Sequence, residues 1–336
     1  MFCAQGGLDA EPPRPLADVR DDLARARRDH DAVTFVGGEP TLHPELPDII
    51  AAARDEGFRA IGVQTNGRRL ARASLVRLLA DAGLTDVHLS IHGPSPAAHD
   101  YHTSVPGSFA AALGTLAAAR ASGLVVAVTT VLTRSNARGL GDLVSLLASR
   151  RASAWCLAVP HARGRAALAF DRVMPRLGVA MPFALHALSV AERVRLPAFV
   201  RGAPLCVLGP FARHALPEEP RGYGEPCASC AARSDCSGVD PRYLARFDGD
   251  ELSPCEPVLR APREEALAAM FVGVGEAAPA DTSEVHPSPA RARVALPMLG
   301  KVTPARAEVP RSAGRRAADA LREIFPALYA DGEPTE

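Results

Sequence analysis

The chain has 336 residues, 47% of them hydrophobic, and its 38 basic residues balance 38 acidic ones. That length and composition fit a soluble globular protein with one larger domain and an appendage. They exclude a global field that draws the chain to nucleic acid, a membrane span of ~20 apolar residues and a signal peptide at the start, so the cytoplasm is the expected location. Lys301 is the only lysine, and arginine, alanine and proline are abundant, which fits GC-rich codon usage better than an arginine-built binding surface.

In chain order, the pattern predicts a helix over 16–29 and then short apolar runs alternating with helical stretches. Strands are predicted at 32–36, 60–65, 86–91, 124–132 and 153–159, with helices at 45–56, 71–82, 108–121 and 138–149 between them. Gly57, Gly83 and Gly123 stand where helices must stop. This is the signature of a parallel sheet with crossover helices. Beyond residue 160 a helix is predicted over 175–195 and a strand over 196–208, reaching Cys206. Residues 206–260 are rich in Cys, Gly and Pro, as in a small domain shaped around metal. Residues 276–291 read as a linker and 312–329 as an amphipathic helix. The domains expected are 1–196, 197–260 and 261–336.

In such architectures, the loops at the carboxyl ends of strands carry the chemistry. Gly37-Gly38-Glu39 follows one strand, Gln64-Thr65-Asn66-Gly67 the next and Ser90-Ile91-His92-Gly93 the third. Asn136 follows the fourth, and His161-Ala162-Arg163-Gly164 the fifth. Each turn alone is weak, since Gly-Gly and Asn-Gly are everyday turn pairs. Their order along one rim carries the argument. His88, His92, His99 and His102 read as residues packed on a strand and its following helix, His99-Asp100 opening that helix, rather than as metal ligands.

Residues 33–136 resemble the core of the radical S-adenosylmethionine (SAM) enzymes: Val-Thr-Phe-Val-Gly-Gly-Glu-Pro-Thr, Val-Gln-Thr-Asn-Gly, Val-His-Leu-Ser-Ile-His-Gly and Val-Thr-Thr-Val-Leu-Thr-Arg-Ser-Asn. The resemblance implies an α/β partial (βα)6 TIM-like barrel, here lacking its first strand, followed by a small cysteine-rich domain. It implies a [4Fe–4S] cluster and S-adenosyl-L-methionine as cofactors. Gly37, Gly38 and Glu39 would receive the α-ammonium of that cofactor, with Asn66, Ser90 and Asn136 near it. Glycine permits close backbone approach, and a carboxylate pairs with an ammonium through a charge-assisted hydrogen bond.

Phe2-Cys3 resembles the end of the family's three-cysteine motif, the first two cysteines falling before Met1. Cluster ligation there uses three protein thiolates, so the chain as written is expected to be inactive, through a misplaced start or through degeneration. Strand 32–36 is then expected to be an unpaired apolar edge that promotes aggregation.

Cys206, Cys227, Cys230 and Cys236, with Cys255 after them, have metal-site spacing. The spacing leaves zinc and iron–sulfur open. Cys-Ser-Gly-Val-Asp-Pro-Arg-Tyr-Leu (236–244) and Glu-Leu-Ser-Pro (251–254) resemble a SPASM/twitch-like extension, which implies an auxiliary [4Fe–4S] cluster, with zinc as the alternative. Cys156 reads as a buried core thiol. The function implied is reductive cleavage of S-adenosylmethionine to a 5′-deoxyadenosyl radical, followed by hydrogen abstraction from a peptide or from a natural-product or cofactor precursor. An electron donor such as flavodoxin or ferredoxin would serve it, with no membrane or nucleic-acid partner. The competing class is a non-catalytic zinc- or iron–sulfur-binding scaffold.

Overall fold

The computed structural model describes residues 12–257, 265–271 and 293–298. Its strands are β1 (Ala32–Val36), β2 (Ala60–Thr65), β3 (Asp86–Ser90), β4 (Val125–Val131), β5 (Ala154–Ala158), β6 (Ala198–Arg201) and β7 (Arg293–Pro297). They form one sheet of order β6-β5-β4-β3-β2-β1-β7, every neighbouring pair parallel. This is the α/β partial TIM-like half-barrel that the sequence implied.

The helices are α1 (Leu16–Ala26), α2 (Leu46–Asp55), α3 (Ala73–Ala82), α4 (Pro96–Thr103), α5 (Ser108–Ala121), α6 (Leu140–Ser149), the short α7 (Gly164–Leu168) and α8 (Phe170–Val173), and α9 (Leu177–Arg193). Three more short ones are α10 (Leu205–Leu208), α11 (Pro241–Phe247) and α12 (Glu265–Ala269). Ser95 opens α4 by accepting the Ala98 N–H on its Oγ, so His99-Asp100 sits inside that helix rather than at its start. Asp100 instead caps α5 from outside, its carboxylate accepting the N–H groups of Gly107 and Phe109 and the Ser108 hydroxyl.

Side chains alternate across each strand. Val33, Phe35, Ile61, Val63, Val87, Leu89, Val126, Val128, Trp155 and Leu157 belong to the main core beneath the helices. The opposite face is polar on β1 to β3, with Thr34, Gly62, Asp86 and His88, all buried. Towards β6 it is apolar, where Ala127, Ala154, Cys156 and Phe199 form a second cluster with Met270 and Phe271 just after α12. Burial pushes the Cys156 thiol up to about 12, as a core thiol should be.

Two expectations fail. The strand over 196–208 splits, because Gly202 takes φ 73° and Pro204 caps α10, so Cys206 rides a helical turn. The β1 edge is not bare either. β7 pairs along its full length, from Ala32↔Arg293 to Val36↔Pro297, which covers the edge predicted to promote aggregation. The predicted linker at 276–291 and helix at 312–329 lie outside the described residues, and no described helix is long and apolar enough to cross a membrane.

Candidate functional site

Because the sheet is all-parallel, the loops after the strands gather at one rim. At the end of β1 the chain turns through Gly37 (φ 93°) and Gly38 (φ 56°), a region that costs non-glycine residues. A Cβ on Gly37 would stand 3.3 Å from the Met298 nitrogen, so the turn also needs the missing side chain. Glu39 is half-buried and directs its carboxylate at the β2 loop. Oε1 accepts the Thr41 N–H (3.2 Å) and the hydroxyls of Thr41 and Thr65 (2.6 Å each), while Oε2 accepts the Asn66 N–H at 2.8 Å. A carboxylate offers about four acceptor positions. Oε1 is therefore filled, whereas Oε2 keeps room for another donor.

Asn66 acts through its main chain, and its exposed side chain closes a local turn by accepting the Arg68 N–H at 2.9 Å. Ser90 ends β3 half-buried on the same rim. Asn136 is placed differently from its expected role. Its amide nitrogen donates to the carbonyls of His92 (3.1 Å) and Val131 (2.8 Å), and its Oδ1 accepts the Thr133 N–H at 2.8 Å. Both amide hydrogens are spent bracing the loops after β3 and β4, and neither is left for a cofactor.

Behind that brace three histidines pack together, His92 beyond the end of β3 and the other two on α4. The His92 and His99 rings stack at 5.7 Å, and the His102 ring stands 6.2 Å from that of His92. His99 Nδ1 accepts the His92 N–H, while His102 donates to the Ala98 carbonyl and accepts from the Thr133 and Ser135 hydroxyls. Burial, with the neighbouring rings, holds His92 well below its usual pKa, and burial lowers His99 to about 4 despite the opposing pull of Asp100. The unfolded chain takes up these protons first. Stability should therefore be complete above about pH 6.5 and fall as the pH drops towards 4. In melts across that range, His99→Asn, whose Oδ1 can still accept the His92 N–H, should show a shallower loss than the wild type; parallel curves would refute the assignment.

The sequence's metal candidates converge in the region that follows β6. Cys230 Sγ lies 3.9 Å from Cys255 Sγ and accepts the Cys255 N–H. Cys236 Sγ accepts the N–H groups of Leu205 and Gly238, 3.4 Å each. Burial raises the Cys206 thiol, with Cys236, Cys227 and Cys230 adding to the effect. Burial and Cys230 together push Cys255 up to about 12. These five sulfurs share one neighbourhood, although among the described residues no group of three or more His, Cys, Asp or Glu is arranged to hold a metal ion. Cys3 lies outside the described residues. The module docks on the barrel through Asp240, which accepts the Ala162 N–H, and through the buried Tyr243, whose hydroxyl accepts the Leu177 N–H. Sequence reasoning missed a cavity of ≈ 320 Å³ at this seam, lined by His161, Arg163, Glu218, Arg221 and Asp240.

The family model described as the Radical SAM superfamily matches residues 1–147, the stretch that contains the Gly37–Glu39 turn, Asn66, Ser90 and Asn136. That stretch, under half of the chain, is similar to the superfamily's domain. The AdoMet-dependent heme synthase of Nitratidesulfovibrio vulgaris is 30% identical over 169 residues, 50% of this chain and 44% of that protein. A probable GTP 3′,8-cyclase of Sulfolobus acidocaldarius is 32% identical over 117 residues, 35% of this chain and 37% of that one. Among solved structures, Streptococcus suis SuiB bound to S-adenosylmethionine is similar at 16% identity and a TM-score of 0.46, covering 60% of this chain and 46% of that one. The matches to the heme synthases span less than half of those proteins' length.

Proposed function

We propose that this protein is a radical SAM enzyme whose rim binds S-adenosylmethionine through the Gly37–Glu39 turn. The carrying observation is the Glu39 carboxylate, fixed by donors from two loops yet with Oε2 still able to accept an ammonium. The residues present thus fit the amino-acid end of that cofactor. When bound, the cofactor and its [4Fe–4S] cluster supply reductive cleavage to methionine and a 5′-deoxyadenosyl radical, which takes hydrogen from a substrate. The chain's part is to hold, orient and exclude water. Glu39 pairs with the α-ammonium, the glycines let the backbone approach, Ser90 offers a hydroxyl on the same rim, and Asn136 keeps the rim loops in register. Cys3 is the proposed cluster ligand from this chain.

The cysteine module is proposed to hold an auxiliary [4Fe–4S] cluster through ligands drawn from Cys206, Cys227, Cys230, Cys236 and Cys255. The Cys255 N–H aimed at Cys230 favours that sulfur in its anionic, ligating form. The proposed substrate is a peptide or a natural-product or cofactor precursor, and the reductant is a protein such as flavodoxin or ferredoxin. Iron, sulfide and 5′-deoxyadenosine, measured after anaerobic reconstitution and reduction, test the reading. Bound zinc with no 5′-deoxyadenosine would favour the scaffold alternative. Cys230→Ala should remove about four irons per chain while S-adenosylmethionine affinity stays at the wild-type value; unchanged iron would remove Cys230 from the ligand set.

A further inference from the structure

The C-terminal strand does more than cover an edge. β7 lies 207 residues beyond the Asp86 it grips, and its last residues are stitched to the start of the candidate cofactor turn. The Met298 N–H donates to the Val36 carbonyl at 2.7 Å, one residue before Gly37, and the Met298 carbonyl accepts the Arg14 N–H at 3.1 Å. A Cβ on Gly37 would stand 3.3 Å from the Met298 nitrogen and 3.4 Å from the Pro297 Cα, so the two segments are in close contact.

The other end of the strand is locked by charge. The Arg293 guanidinium, with a side chain only 6% exposed, meets the Asp86 carboxylate through two parallel hydrogen bonds of 2.8 and 3.0 Å. It also donates to Thr34 Oγ1 at 2.9 Å. Asp86 is further held by Thr85 and by the His88 Nε2–H. Gly62 supplies the room, since a Cβ there would stand 2.2 Å from Asp86 Oδ1 and 2.7 Å from Arg293 Nη1. Four positions on three neighbouring strands, Thr34, Gly62, Asp86 and His88, are therefore shaped to receive one arginine from a fourth.

We propose that β7 is a positioning element for the Gly37–Glu39 turn, and that Arg293 is the positioning residue that keeps it docked. The cofactor half of this inference rests on the reading of Glu39 given under Proposed function; the docking half does not. Removing one partner of a buried pair strands the other charge, so the strand should leave the edge as a unit. Val36 then loses the donor that fixes its carbonyl, and the turn after it is held on one side only. The expected consequence is a weaker clamp on the cofactor without a change at the cysteine module.

The test uses the full chain as wild type, Arg293→Ala, Arg293→Lys and Asp86→Asn, read by amide hydrogen exchange and by calorimetric titration with S-adenosylmethionine. Arg293→Ala should speed exchange over residues 32–38 about a hundredfold while β4 to β6 stay protected. It should weaken S-adenosylmethionine about fivefold or more, with metal content at the cysteine module unchanged. Arg293→Lys keeps the charge but not the fork, and should fall between. A synthetic peptide of residues 290–300 added to Arg293→Ala should restore both readouts saturably, and the same peptide with alanine for arginine should not. Unchanged exchange at 32–38 in Arg293→Ala and Asp86→Asn, or equal acceleration across all strands, overturns docking as a local device. Local exchange with unaltered S-adenosylmethionine affinity overturns the positioning role. A wild type that binds no S-adenosylmethionine overturns the cofactor reading and the positioning role together, while the exchange data still decide the docking.

Discussion

Glu39→Ala is expected to weaken S-adenosylmethionine binding about a hundredfold, with a smaller loss of stability. A charge-assisted hydrogen bond to a fixed carboxylate contributes roughly 1.5–3 kcal/mol, and each 1.4 kcal/mol is tenfold in affinity. The same change leaves the buried Thr65 hydroxyl, the Thr41 hydroxyl and the Asn66 N–H without their acceptor. Water can replace the carboxylate at the exposed Asn66, so the stability cost should stay near ~2 kcal/mol. Glu39→Gln separates the two effects. It can still accept from both threonines on its oxygen, but its NH2 would face the Asn66 N–H and it carries no charge for an ammonium. Affinity should fall almost as far as in the alanine variant while melting temperature falls less. Titration calorimetry with S-adenosylmethionine decides it, and a Glu39→Ala protein that binds like the wild type would end the assignment.

What could be read in advance followed from burial. β1 to β5 each place large apolar residues at alternate positions facing the helices, Val33 and Phe35 on β1 and Val87 and Leu89 on β3 among them, and that alternation is what the sequence displays. The glycine turn was legible for the same local reason, since two successive positive-φ residues leave few choices but glycine. The convergence on Glu39 was not. Thr65 and Asn66 reach it from a loop 26 and 27 residues away, and nothing in a Thr-Asn-Gly turn announces an acceptor on the neighbouring strand. Asn136 shows the opposite error. Its position on the rim was readable, but whether its amide faced outward or braced two loops depended on carbonyls up to 44 residues away.

β7 was invisible for a physical reason. Arg293-Val-Ala-Leu-Pro has too few β-branched residues to stand out from the Ala-, Pro- and Arg-rich sequence around it. Its conformation is decided by the ladder with β1 and by one buried ion pair, both tertiary. Pro297 is tolerated because it ends an edge strand, where a missing N–H costs little. In the cysteine module, the Cys227-x2-Cys230 spacing was legible, but the approach of Cys230 to Cys255 spans 25 residues of irregular chain. Gly209, at φ 50°, and Pro204 gave the local signal that Cys206 belongs to a turn.

The same buried pair makes Gly62→Ala the most damaging single-methyl change expected in the barrel. Gly62 is an ordinary strand residue in its backbone, so the penalty is purely one of space. Its new Cβ would fall 2.2 Å from Asp86 Oδ1, and the carboxylate has nowhere to retreat, pinned as it is by Arg293, His88 and Thr85. Burial alone would raise the Asp86 carboxyl, but the His88 hydrogen bond and the charges beside it, Arg293 among them, outweigh that and hold it at about 2. Its stabilising share is present above its unfolded value of 3.8 and is lost as the pH falls through about 2. Displacing it at neutral pH should cost about 3–5 kcal/mol, which for a domain of this size lowers the melting temperature by roughly 10 °C. The cause can be separated from simple overpacking by a double-mutant cycle. Asp86→Ala removes the obstructing oxygens, so adding Gly62→Ala to it should cost far less than adding it to the wild type. Additive losses would mean that the methyl strikes something other than the carboxylate, the Arg293 Nη1 that would stand 2.7 Å from it being the next atom in reach.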